Sequence, residues 1–139
     1  MNLASILFKM KFREITLKDG ALLILGRNAK SNDDLMRKFK GKPNIILHTV
    51  SPGSPFGVID KLKPIKEEIY ASGVIIAKFS QDWRNNKKDI KVSVFTGKDI
   101  SKNKDLKIGT WNVKKSKTIT VKKEDILKFG EFLNKNGTK

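Results

Sequence analysis

The chain has 139 residues, 38% of them hydrophobic and 32% charged, which gives room for one folded unit with a modest core and a heavily charged exterior. Thirty Lys and Arg against fourteen Asp and Glu set the formal charge at +16, a sign that draws phosphate-rich polymers or anionic surfaces. With no Cys and a single His, disulfides, thiolate zinc sites and multi-histidine sites are excluded, and neither a metal nor a cofactor is expected.

Residues 3–8 form an apolar patch that lacks the basic start and the length of a secretory signal. No apolar run reaches the roughly 18 residues of a membrane span, so a soluble, cytoplasmic protein is expected. Residues 12–17 alternate apolar and polar, Asp19-Gly20 supplies a tight turn, and residues 21–25 return as an apolar run, which predicts an opening hairpin. Leu35, Met36 and Phe39 at helical spacing, behind the capping types Ser31, Asn32 and Asp33, predict a short helix over 31–39 that ends at Gly41 and Pro43.

Two apolar runs, 44–50 and 56–59, flank the cluster Ser51-Pro52-Gly53-Ser54-Pro55 and read as strand, turn, strand. A helix over 64–83 follows from Pro64 at its start, Glu67 and Glu68 in its first turn, and Ile65, Ile69, Ile76 and Trp83 on one face. Ala71, Ser72, Gly73 and Ala77 keep its middle thin enough to lie close on a sheet. Residues 90–96 alternate as a strand, 97–109 form a Lys-rich connection, and 110–113 with 118–121 predict a final hairpin turned at 114–117. Ile126, Phe129, Gly130 and Leu133 place a last amphipathic helix at about 123–135. The sum is an α+β chain: one domain over 1–139 with its core at about 12–122, a largely antiparallel sheet packed by a long central helix and shorter helices.

The charge is uneven, since residues 84–123 carry thirteen basic side chains against Asp89, Asp99 and Asp105. Arg27 beside Gly26 suits a phosphate or a guanine edge, and Asn28, Lys30 and Asn32 add donors and acceptors for a splayed nucleotide. Alternatively Gly26 and Asn28 only shape a turn and Asn32 caps the helix. His48 at a strand end fits an orienting hydrogen bond or base stacking beside the Pro-Gly-Ser loop, then a satisfied core position, and last a general base, for which no orienting partner is at hand. Gly53 and Ser54 offer backbone N–H groups to a phosphate or simply make a turn. Lys98, Lys102, Lys104 and Lys107 lie in a connection bracketed by Gly97 and Gly109 and suit a phosphate backbone. Trp83 and Trp111 read as core, with base stacking the alternative. No nucleophile and base pair up and no Walker loop is present, so no catalytic residue is assigned.

Gly26-Arg27-Asn28 with Asn32 and Leu35, then Leu47-His48-Thr49, Pro52-Gly53-Ser54 and Gly109-Thr110-Trp111, occur in an order that resembles the NFACT-R domain. That is the RNA-binding domain of the fibronectin-binding-protein-like factors of ribosome-associated quality control. The similarity spans about residues 21–121 and implies an α+β domain that contacts RNA, here in its stand-alone form and without the activities of the large factors. The chain departs from the family pattern at Asn44, where an acidic residue is usual, at Ile46, where a bulky aromatic is common, and at Pro55, often His in the bacterial factors. The expected function is binding of structured RNA, tRNA or rRNA, in translation or quality control. An RNA-processing or tRNA-modification component and a duplex DNA-binding protein are the alternatives.

Overall fold

Along the strands, neighbouring side chains feed two different cores. The computed structural model describes residues 2–136; residue 1 and residues 137–139, at the ends of the expected 1–139 domain, lie outside the described residues. In β2 (Leu22–Gly26) Leu23 and Leu25 join one apolar cluster while Ile24 joins another, and in β3 (Ile45–Thr49) Leu47 and Ile46 divide the same way. A sheet that is apolar on both faces must be covered on both. With β1 (Phe12–Thr16), β4 (Gly57–Asp60), β5 (Ile90–Thr96) and β8 (Lys117–Val121), these strands form a six-stranded sheet in the order β1-β2-β4-β3-β5-β8, every pair antiparallel.

One face is covered by α3 (Lys66–Lys78) and α5 (Lys123–Asn136). The thin middle of α3 does lie close on the sheet: a Cβ on Gly73 would sit 3.1 Å from both Ile119 and Val121 of β8. Tyr70 fastens the two helices, its hydroxyl donating to Asp125 at 2.6 Å and accepting from the Lys122 N–H at 3.0 Å. The other face is covered by α2 (Ala29–Phe39), whose Leu35 and Met36 are fully buried, at about 1.5–3 kcal/mol each. Beside it lies a two-stranded ribbon of β6 (Ile100–Ser101) and β7 (Asn112–Val113). The α+β class, the antiparallel sheet and the opening hairpin stand as expected.

Three expectations about elements are corrected. The helix predicted over 64–83 is two, α3 and α4 (Gln81–Asn86), because the buried Ser80 hydroxyl takes the Trp83 N–H at 3.1 Å and donates to the Ala77 carbonyl at 2.7 Å, starting a new helix. Pro64 falls before that pair, and α3 begins at Lys66 with the Glu68 carboxylate reaching back to the Ile65 N–H at 2.9 Å. The final hairpin does not form, since β7 pairs with β6 and β8 with β5. The patch at 3–8, to which no element was assigned from the sequence, lies in a helix, α1 (Leu3–Lys11), capped by the Asn2 side chain at 2.8 Å. Among the described residues no helix is long and apolar enough to cross a membrane.

Candidate nucleic-acid interface

At the end of β2 the chain turns directly into α2. A Cβ on Gly26 would collide with the Asn32 side chain, so glycine lets the strand end and the helix approach. Asn28 caps α2, accepting from the Ser31 N–H at 2.9 Å, while the Ser31 hydroxyl accepts from the N–H groups of Arg27 at 2.7 Å and Asn28 at 3.0 Å. This corrects the expected cap and the expected start: α2 begins at Ala29, and Asn32 is one turn inside it. Buried there, Asn32 accepts from the Phe56 N–H at 3.1 Å, and the Gly26 N–H donates to the Phe56 carbonyl at 3.1 Å. The glycine-arginine-asparagine turn is therefore stitched to the segment that follows the Pro-Gly-Ser loop.

That loop is folded by Thr49, whose N–H donates to the Ser54 hydroxyl at 3.1 Å and whose own hydroxyl donates to the Ser51 carbonyl at 2.6 Å. Gly53 sits at φ +95° and its carbonyl accepts from the Gln81 N–H at 2.8 Å, which ties the loop to α4. The His48 ring rests on Phe56 with centroids 4.4 Å apart. Its Nδ1 donates to the Thr49 carbonyl at 2.7 Å, which leaves Nε2 as the acceptor of a neutral ring. Burial pushes the imidazole pKa down and the Thr49 and Ser54 carbonyls oppose this, with burial prevailing, so the ring is uncharged at neutral pH.

The third side is the segment around Gly109 and Trp111, held by Asp33. The buried Asp33 Oδ1 accepts from the Gly109 N–H at 2.6 Å, the Trp111 indole N–H at 3.0 Å and the Lys102 ammonium at 3.0 Å. Burial raises the Asp33 pKa, but Lys102, Gly109 and Trp111 together hold the carboxyl below its ordinary value. Lys102 also donates to the carbonyls of Lys107 at 2.7 Å and Thr110 at 3.0 Å, so its ammonium is directed inward.

These three sides enclose a cleft of about 700 Å³. Of the residues singled out from the sequence, Arg27, Asn28, Asn32, His48, Gly53 and Ser54 line it. Lys30, Lys98, Lys102, Lys104 and Lys107 do not; the Lys30 ammonium stands 3.7 Å from Asp34, Lys104 and Lys107 are exposed in the segment that leads to Gly109, and Lys98 is exposed beside Gly97, which packs on the end of α2. Arg13, Phe79 and Arg84 also form its wall and went unanticipated. Arg13 is paired with Leu25 next to Gly26, a neighbourhood that only strand register creates. Trp111 is buried beneath the cleft and Trp83 in the core with Ile76, as the core readings of both expected. Among the described residues no three His, Cys, Asp or Glu side chains gather where a metal ion could be held.

The departures from the family pattern sit in the frame. Asn44 is buried and donates to the Ile59 carbonyl at 3.2 Å, Ile46 is fully buried, and Pro55 lines the cleft beside Ser54.

The family described as NFACT protein RNA binding domain matches residues 11–115, which include all three sides of the cleft. No curated protein matches. Among solved structures, the C-terminal part of the fibronectin/fibrinogen-binding protein from Streptococcus suis is similar, with 25% identity and a TM-score of 0.75. The likeness covers 86% of this chain and 48% of that one, so the chain spans about half the length of that structure.

Proposed function

Because the chain belongs to the NFACT RNA-binding domain family, whose members' domain binds nucleic acid, we propose that it binds structured RNA, tRNA or rRNA, in the cytoplasm. The setting is translation or ribosome-associated quality control. One observation carries this reading. The four sequence motifs, spread over residues 26–111, converge on one cleft whose charged wall residues are all arginines. Arginine forks fix a phosphate or a guanine edge, and the exposed Lys98, Lys104 and Lys107 outside the cleft add attraction along the backbone that reads no sequence. His48, neutral and set on Phe56, supplies a flat surface and an acceptor without adding charge.

The test is cross-linking of the tagged protein in cells with sequencing of the bound RNA, alongside the Arg27→Ala, His48→Ala double variant. Enrichment of tRNA or of one rRNA region, lost in the variant, is the expected result. Recovery that tracks RNA abundance and is the same in the variant would reduce the function to charge alone. Competition between matched RNA and DNA belongs beside it, because only the 2′-hydroxyl or helix shape separates the two polymers at such a surface.

A further inference from the structure

Arg13 of β1, Arg27 before α2 and Arg84 of α4 bring guanidinium groups from three elements to one wall. Arg13 is half-buried, its guanidinium carbon 4.5 Å from the centre of the Phe79 ring. Arg84 donates to the carbonyl of the same Phe79 at 3.4 Å, and Arg27 donates to the Lys9 carbonyl at 3.4 Å. Among the described residues none of the three forms an ion pair. Burial, and after it the nearby charge of Arg27, works against the protonated form of Arg13. Cations gathered on a concave wall without a counter-charge are stabilised by an anion, and planar guanidinium forks match phosphate oxygens two at a time.

The His48 and Phe56 rings, packed as a pair, line the same cleft. The cleft volume of about 700 Å³ falls in the range of small-ligand sites, and it is concave where a double helix is convex. In a duplex each base is covered by its neighbours, whereas an unpaired base offers its face and its edge. We propose that the cleft holds one unpaired nucleotide of the RNA, its phosphate on Arg13, Arg27 and Arg84 and its base toward the His48 and Phe56 wall. This rests on the RNA-binding reading above and narrows it to a ligand class.

Fluorescence anisotropy of the full chain with a labelled RNA hairpin bearing an unpaired loop, and with a blunt duplex of the same stem, tests it at one fixed salt concentration. The hairpin is expected to bind about tenfold more tightly, the weight of one hydrogen bond between charged partners. Arg84→Gln, at an exposed position that threatens the fold little, and Arg13→Lys, which keeps the charge and removes the fork, each lower hairpin binding about tenfold and duplex binding far less, so the preference is lost. Lys18→Gln, in the turn at the far end of the β1–β2 hairpin, keeps the preference. Equal binding of hairpin and duplex, or a preference that survives both arginine substitutions, overturns the nucleotide site and leaves RNA binding standing. Binding of neither RNA overturns both.

Discussion

Asp33 decides the shape of the cleft although it lines none of it. One carboxylate oxygen takes the N–H of Gly109, the indole N–H of Trp111 and the Lys102 ammonium, and so fixes the segment that closes the third side. An amide oxygen at this place still accepts from the two N–H groups but leaves the largely buried Lys102 ammonium without its counter-charge, so Asp33→Asn should cost about 3 kcal/mol at neutral pH. Its carboxyl is held below the ordinary value of 3.8, so the ionised form favours folding. The contribution is complete above that value and is lost as pH falls through the lower folded value. Urea unfolding across the acid range should show the parent losing stability more steeply than Asp33→Asn, which starts lower, until the two converge. Parallel curves would take Asp33 out of the linkage. The sequence named Asp33 only as a possible helix cap, since nothing local ties residue 33 to residues 109 and 111.

At the scale of elements, the short α4 does more for the cleft than its six residues suggest. It carries Arg84, and its first N–H holds the carbonyl of Gly53 at 2.8 Å. Ser80 starts it with a hydroxyl that both accepts from Trp83 and donates to Ala77. Ser80→Ala should therefore lower stability by about 1 kcal/mol in a denaturant titration and weaken RNA binding several-fold. Unchanged binding in the destabilised variant would mean that α4 does not position Arg84 or the Pro-Gly-Ser loop. The apolar stripe of Ile76 and Trp83 is compatible with one continuous helix, and both residues do share a core. Periodicity records which face is buried, not whether a serine hydroxyl replaces a backbone bond on the way. For the same reason alternation at 110–113 marks a strand but not its partner: the hairpin expected with 118–121 does not form, and β7 pairs with β6.

For the molecule as a whole, the formal charge of +16 sets how it meets a polyanion. Each phosphate contact releases counterions, so log affinity should fall linearly with log salt, by about 0.7 per contact on a single strand and 0.9 on a duplex. Lys104→Ala should weaken binding to all RNAs alike and reduce the slope by about one contact, measured by anisotropy across a salt series. Arg27→Ala, inside the cleft, should cost selectivity among RNAs as well. A slope near zero in the parent protein would remove electrostatics as the basis of binding.

The positive charge, the largely antiparallel α+β sheet and the motifs that meet at the cleft are legible in the chain alone. Charge is additive along a chain, and strand alternation and helical spacing are local periods that need no knowledge of distant residues. Two faces of that sheet covered by separate cores, Arg13, Phe79 and Arg84 beside Arg27, the cap of α2 at Asn28 in place of Asn32, and Lys102 turned inward to Asp33 emerge on folding. Those outcomes depend on which groups folding brings within hydrogen-bonding reach, across 69 residues for Asp33 and Lys102 and 78 for Asp33 and Trp111, and no local pattern encodes such a meeting.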